Sequence, residues 1–327
     1  TTKHLNLNFV LPLKMEKRKL DYQRNALDTA FTRHTTFLDP NLKIEISDNN
    51  SEYNYYFNYD CQSSDPDMTY FVNVTDNTDP LNIIKGNTKL KSTHTHNFTL
   101  GYSGNFKNQK MLNIKLEYHA IRNAIAMGSL FYKSTGVRTI KPDNINGNWK
   151  GGFNIDYTTP LDKARKLTLT VNSNSDFNHS VDLINVEGST GSSRSTVKNL
   201  YLNETLKLEY RFNEKFYCGA KTNLNWTHST STREDFTTIN AGNFYYGING
   251  QIELPWNMQL SSDITEYSRR GYEETSMNTN ELVWNAKLVK RIRGNISIIL
   301  DGFDILGKLS NVQRTVNAQG RTETYYN

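Results

Sequence analysis

The sequence predicts an all-β fold, an antiparallel transmembrane β-barrel, from three features of its 327 residues. The first is a period of two. Leu200, Leu202, Leu206, Leu208, Tyr210 and Phe212 fall on one parity of a single stretch, and Asn203, Thr205, Lys207, Glu209 and Arg211 on the other. Only Tyr201 and Glu204 break the pattern. Side chains of a strand alternate between faces with this period. The second is length. Strands of soluble sandwiches run to about five or six residues, whereas strands of about ten with a charged inner face suit a barrel crossing an outer membrane. The third is a segregation of short and long connections along the chain.

Thirteen strand-like segments follow in order, near 4–14, 41–48, 52–61, 94–106, 110–126, 145–158, 165–177, 199–212, 215–228, 243–254, 257–267, 280–292 and 295–304. The chain enters alternation at once after Thr1-Thr2-Lys3-His4. In the fourth segment Phe98, Leu100 and Tyr102 oppose Asn97, Thr99 and Ser103. In the fifth Leu112, Ile114, Leu116 and Tyr118 oppose Asn113, Lys115, Glu117 and His119. The sixth sets Trp149, Phe153, Ile155 and Tyr157 against Lys150, Asn154 and Asp156. The ninth sets Phe216, Leu224 and Trp226 against Tyr217, Lys221, Asn223 and Asn225. The tenth sets Phe244, Tyr246, Ile248, Ile252 and Leu254 against Asn249, Gln251 and Glu253. Charges on the polar parity could not lie unpaired in a dry sandwich core. In a wide lumen they stay hydrated, so the apolar parity faces lipid.

Tight turns are expected at Asp48-Asn49-Asn50-Ser51, Phe106-Lys107-Asn108-Gln109, Asn213-Glu214, Pro255-Trp256 and Arg293-Gly294, all rich in reversal-forming residues. Polar segments at 15–40, 62–93, 127–144, 178–198, 229–242, 268–279 and 305–327 separate them. Outer-membrane barrels have short periplasmic turns and long outer loops, so the alternation orients the chain. Tyr102, Phe106, Tyr118, Tyr157, Tyr210, Phe212, Phe216 and Trp256 gather beside the turns, where a periplasmic aromatic girdle is expected.

Composition narrows the classes further. The chain is 36% hydrophobic and 12% aromatic with mean hydropathy −0.68, and no apolar run is long enough for a membrane helix. A net charge of +5 with both signs interspersed speaks against a nucleic-acid binder, which clusters Lys and Arg on one face. Cys61 and Cys218 fall on the apolar parity of different strands and act as small outward fillers rather than a disulfide framework. The chain opens without a signal peptide. The strand count is odd where a single-chain bacterial barrel has an even one. Residues 1–327 are therefore expected to be a barrel segment of a longer protein, with one further strand after Asn327 and any plug domain upstream.

Residues 78–100 read Thr-Asp-Pro-Leu-Asn-Ile-Ile-Lys-Gly-Asn-Thr-Lys-Leu-Lys-Ser-Thr-His-Thr-His-Asn-Phe-Thr-Leu. This stretch resembles the "DPL–GNP.LK–(T/S)HN" segment of TonB-dependent receptor barrels of the type common in Bacteroidota outer membranes, with Thr88 at the usual proline. Asp301-Gly302-Phe303-Asp304-Ile305-Leu306-Gly307-Lys308, and Trp284-Asn285-Ala286 in the strand before, resemble the end of the same barrels. The resemblance covers essentially the whole chain. It implies a C-terminal barrel portion with thirteen of twenty-two strands, bounded by outer-membrane lipid and plugged by an upstream domain that contacts the TonB complex, with a surface lipoprotein as a further partner.

Chemistry-bearing clusters are sparse. His94 and His96 near Asp76 and Asp79 fall short of the three or four convergent ligands a metal needs. Asp60, Asp65 and Asp67 lack the spacing of a Ca²⁺ loop. Asp263, Glu266, Glu273 and Glu274 follow no pairing rule, and no G-x-S-x-G elbow occurs, so neither enzyme, metal nor cofactor is expected. Gly147, Gly151, Gly152, Gly247 and Gly250 mark bends or close backbone approaches. The candidate ligand contacts are outer-loop aromatics and arginines: Tyr70, Phe71, Tyr132, Phe236, Tyr267, Arg269, Arg270 and Tyr272, suited to a saccharide or peptide. The function expected is nutrient uptake across the outer membrane. The alternative is a structural or adhesive barrel whose loops bind a partner.

Overall fold

The computed structural model describes residues 3–24, 27–48, 52–72, 75–76, 79–132, 134–185, 192–234, 236–293, 296–309, 312–317 and 320–325. Its body is a thirteen-stranded antiparallel sheet. The strands are β1 Lys3–Val10, β2 Asn41–Asp48, β3 Tyr53–Ser64, β4 Thr93–Phe106, β5 Lys110–Arg122, β6 Asn148–Pro160, β7 Leu167–Asn185, β8 Ser192–Asn213, β9 Phe216–Ser231, β10 Ile239–Leu254, β11 Met258–Arg270, β12 Asn280–Arg293 and β13 Ile296–Gly302. All thirteen expected segments are strands of this sheet, and each pairs with the next. β1 and β13 do not pair with each other; among the described residues each has a single neighbour, so the sheet is open.

Cross-strand register preserves the parity of the sequence. Leu206 lies opposite Val171 and Thr222, while Lys207 lies opposite Thr170 and Lys221. A row of partners also reveals the tilt. It starts at Tyr53, the first residue of β3, and passes through Gly104, Leu112, Tyr157, Val171, Leu206, Thr222, Tyr246 and Glu266 to Leu282. Leu282 stands eleven residues above Arg293, the end of its strand. Nine strand spacings of about 4.8 Å against eleven residues of about 3.3 Å give a tilt of roughly 40°, the tilt of membrane barrels.

The apolar face is exposed to an extent that no soluble core would show: Leu5 is 68%, Ile248 63% and Leu206 45% exposed. Packed apolar clusters lie instead in the outer loops, where Ala126, Ile145 and Val181 are buried with Ala124 and Leu183 against them. This inversion is what lipid as the solvent of the outward face requires.

Short turns close the ends of the sheet expected to face the periplasm. Asn108 and Gln109 take φ of 67° and 64°, and Trp256 and Asn257 take 62° and 56°. The Asn213 Oδ1 accepts from the backbone N–H of Lys215 and Phe216, both at 2.9 Å. The expected turns at 48–51 and 293–294 rest partly on residues outside those described. Near the ends of these strands the outward aromatics Tyr55 and Tyr102 pack at 4.7 Å and Phe212 and Phe216 at 6.4 Å. Tyr118 does not belong to this girdle. Eight residues above the start of β5, it packs against Phe98 at 6.2 Å and Trp149 at 5.7 Å, in a second belt continued by Tyr59 and Phe177. Eight residues of tilted strand rise roughly 20 Å, close to the height of the lipid-facing band.

Four of the expected polar loops contain further strands. Leu13–Arg24 and Leu27–Leu38 form a hairpin. Thr75–Asp76, Asn82–Lys85, Ala124–Tyr132 and Val137–Ile145 form a four-stranded sheet with one parallel pair. β7 and β8 continue to Asn185 and from Ser192, well past the expected ends at 177 and 199. Outside the bilayer neither face must be apolar, so pairing persists where the two-residue hydropathy pattern has lapsed. A terminal hairpin joins Val312–Asn317 to Gly320–Tyr325.

Inside the sheet, a Cβ on Gly101 would stand 2.0 Å from the Tyr56 ring. The tyrosine lies across the glycine on the neighbouring strand, one of the devices that hold a curved sheet in register.

Candidate functional site: lumen wall and outer mouth

The polar parity builds the inner wall. Lys207, Glu209, Lys221, Asp263, Lys287 and Asp301 line a recess of about 450 Å³ across β8–β13. Lys221 Nζ lies 3.7 Å from Asp263 Oδ2, and Lys287 Nζ 3.4 Å from Asp301 Oδ2. Asn285 Nδ2 donates to both Asp263 oxygens at 3.4 Å. These groups remain partly exposed, so the pairs are weak and leave capacity for a polar solute. Across β3–β7 the wall is knit by amides and charges. Asn97 donates to Asp60 at 2.8 Å, His119 Nδ1 lies 2.7 Å from Asn97 Oδ1, and Lys150 pairs with Asp176 at 3.2 Å.

Toward the mouth, Tyr245 and Tyr267 pack at 5.6 Å, with Lys221 5.9 Å from the Tyr245 ring. Tyr272 donates its hydroxyl to Asn243 at 2.9 Å. Tyr267, Arg269 and Arg270, expected in or beside a loop, lie on β11. Tyr267 and Arg269 share the inward parity, paired with Tyr245 and Asn243. Arg270 serves its own loop, donating to the carbonyls of Arg269 and Thr279 and to Asn280 Oδ1. The structure thus brings Tyr267, Arg269 and Tyr272 together around Asn243. Tyr245 was missed, although an aromatic on the polar parity was visible in the sequence.

The other candidates lie apart. Tyr70 and Phe71 belong to the short 3₁₀ turn Met68–Phe71. Phe71 is 1% exposed, stacked on Phe31 at 5.4 Å and beneath the Arg33 guanidinium at 4.6 Å, so it packs the loop and offers no surface to a ligand. Tyr132 is exposed at the end of an outer hairpin, and Phe236 is half-buried after β9.

The clusters weighed for metals are internally satisfied. Asp65 accepts from Thr35 at 2.5 Å, Ser92 at 2.6 Å and Arg33 at 3.1 Å. Burial raises its pKa, but the Ser92 and Thr35 hydroxyls and Arg33 outweigh that and hold the carboxyl below its ordinary value. Asp67 caps the 3₁₀ turn through Thr69 and is likewise lowered, first by that hydroxyl and then by the Thr69 backbone N–H. His94 and His96 meet Ser63 and Tyr59 at 2.7 and 3.0 Å. Among the described residues no three His, Cys, Asp or Glu side chains converge on one point. Ser63 gives its hydroxyl proton to Asp39 at 2.5 Å. The serine therefore separates carboxylate from imidazole, the reverse of the order a nucleophilic triad needs. Cys61 and Cys218 are both free, and Cys218 lines a lipid-facing recess with Ala220, Gly250 and Ser262.

The quoted motif residues have clear mechanical roles. A Cβ on Gly86 would stand 1.8 Å from the Val72 carbonyl oxygen. Asn87 donates to the Pro142 carbonyl at 3.0 Å and accepts from the Lys89 N–H. Asp304 accepts the N–H groups of Lys308 and Leu309 and donates its own to Asn285 Oδ1.

A lipid-facing apolar wall, a charged inner wall and strands tilted like those of a membrane barrel agree with comparison against protein families: residues 2–216 match the model of the outer membrane protein beta-barrel family. The chain belongs to that family. Its place is the bacterial outer membrane. No curated protein matches the chain. Among solved structures it is similar to two crystal structures of the Pseudomonas putida toluene transporter TodX. They are 9% and 8% identical, cover 91% of this chain and 82% of their own, and give TM-scores of 0.26 and 0.27. What this barrel-family member does therefore rests on its own walls and mouth.

Proposed function

We propose that this chain is the barrel portion of a TonB-dependent outer-membrane receptor that takes up a nutrient, a saccharide, peptide or chelate, with a plug domain elsewhere in the same protein. The observation that carries the reading is the inner wall. Lysines and carboxylates on β8–β13 form loose, half-exposed pairs, an arrangement stable only against water or a polar domain filling the bore. Two features support it. Thirteen strands, still open, already exceed the eight that close a barrel filled by its own side chains, and the motif segments at 78–100 and 301–308 resemble those of TonB-dependent barrels. The cluster of Tyr245, Tyr267, Tyr272, Arg269 and Asn243 at the mouth offers rings, amides and one cation, as polar solutes need. No catalytic role falls to Ser63, His94 or Asp39.

The folded outer hairpins favour a second reading, an adhesive barrel whose loops hold a partner without transport. The deciding experiment measures uptake of labelled oligosaccharides, peptides and metal chelates by cells expressing the full-length protein, with and without a functional TonB complex. Energy-dependent uptake lost with TonB supports the receptor. Surface binding with no accumulation, unaffected by TonB, supports the adhesive barrel.

A further inference from the structure

Four of the seven histidines share one feature: each packs against an aromatic ring on or above the outward face of the upper strands. His94 meets Phe37 edge-on at 6.5 Å, His96 stacks on Tyr59 at 6.2 Å, His179 on Trp149 at 5.7 Å and His228 on Trp226 at 5.7 Å. A single row of cross-strand partners runs Cys61, His96, Ala120, Trp149, His179, Lys198 and Thr230 across β3–β9. It contains no carboxylate. Arg122 lies two residues above Ala120 on β5, directly opposite His94. Arg122 and Lys198 are both exposed.

Height gives the row its meaning. His96 stands ten residues above the periplasmic end of β4 at Phe106, roughly 25 Å along the barrel axis at the observed tilt. That is the top of the apolar band, where lipid chains give way to headgroups. Aromatic rings belong there, because their apolar bodies and polar edges match the boundary. Lysine and arginine on the same face select anionic headgroups. Arg122 and Lys198 are three strand spacings apart and offset by two residues along the strands, roughly 16 Å, with Trp149 and His179 on the two strands between. In an outer membrane, the headgroup layer at this height is that of the outer leaflet.

We propose that this surface binds a phosphorylated glycolipid of the outer leaflet, with Arg122 and Lys198 taking anionic substituents on either side of the Trp149–His179 rings. The rings supply an apolar platform for the sugar, and the cations supply charge-assisted hydrogen bonds to phosphate. The surface is separate from the lumen, so it stands or falls independently of the transport reading.

The test uses the full-length protein in detergent micelles, with binding read by native mass spectrometry against two probes: lipid A carrying two phosphates, and dipalmitoyl phosphatidylglycerol. Lipid A should bind more tightly, and Arg122→Ala and Lys198→Ala should each weaken it about tenfold, the effect of losing one charge-assisted contact. Arg122→Lys and Lys198→Arg should retain it. Heat-modified mobility on gels confirms that each variant is folded. Equal lipid A binding by the alanine variants and the parent protein would overturn the proposal. So would equal affinity for both probes, which would reduce the surface to unspecific charge. A dimer that dissociates in the same variants would assign the surface to a second copy and overturn it too.

Discussion

Arg33 and Asp65, thirty-two residues apart in sequence, meet at 3.1 Å outside the membrane and join the hairpin Leu13–Leu38 to the loop that follows β3. The Asp65 carboxylate is 1% exposed, and Thr35 and Ser92 complete its hydrogen bonds. Removing one partner of a buried, hydrogen-bonded pair costs about 3–5 kcal/mol. Asp65→Ala should therefore release the first outer hairpin without unfolding the barrel. Hydrogen exchange should rise at 33–37 and 65–72, with the strands of the sheet still protected.

The same carboxyl sets a pH dependence. Its folded pKa lies below the ordinary value, so its stabilisation is present above the unfolded value of about 3.9 and disappears as pH falls through the lower, folded one. Proteolysis of the outer hairpins in intact cells should be constant at neutral pH and increase only in acid below about pH 4. Asp65→Asn should remove that increment.

The two faces of β8 should respond in opposite ways. Leu206 is exposed on the outward face and Lys207 lines the inner recess. Leu206→Arg should cost about 2–4 kcal/mol, the cost of arginine on a lipid face near the midplane, whereas Lys207→Gln should fold almost as well as the parent. Urea titrations of the full-length protein refolded into vesicles measure both. Equal stabilities would mean that the faces are exchanged.

Tyr56 and Gly101 make a matched pair. A valine at Gly101 meets the Tyr56 ring, and overpacking of this kind costs about 1–3 kcal/mol. Gly101→Val should lower stability, and adding Tyr56→Ala should restore part of the loss. A strictly additive double variant would show that the two residues act independently.

Orientation is testable at two connections. An epitope inserted at Glu273, between β11 and β12, should bind antibody on intact cells. One inserted at Glu214, in the turn between β8 and β9, should be reached only after the membrane is opened.

How much of this was legible in the sequence depends on which solvent each segment meets. In the sheet, one face meets lipid and the other polar groups, so residues such as Leu206 and Lys207 advertise their sides and all thirteen strands could be found. The hairpin Leu13–Leu38 meets water on one face and the loop after β3 on the other, through Phe31, Arg33 and Phe37. No lipid sorts its faces, and its run Lys14-Met15-Glu16-Lys17-Arg18-Lys19 carries no alternation, so the sequence marks no strand there. Composition does not distinguish an aromatic on a loop's surface from one beneath it, so the sequence offers Phe71 as a ligand contact where the structure buries it. Tyr118 belongs to the upper belt and not to the girdle the sequence suggests, because distance from a turn must be counted along a tilted strand. Inner-wall pairs such as Lys221 with Asp263 share the inward face but sit on strands two apart, and only the register between β9, β10 and β11 brings them together.

The length of the β7–β8 hairpin changes the silhouette of the mouth. Strands of 19 and 22 residues, tilted at roughly 40°, climb about 50 Å, twice the height of the apolar band. One flank of the rim therefore stands as a parapet while the flank around β11 and β12 ends low. Along the described strands the rim steps down from β8 to β12, and Tyr267 and Tyr272 stand at its low side. A wall of uneven height leaves that low side the more open to the outer solvent.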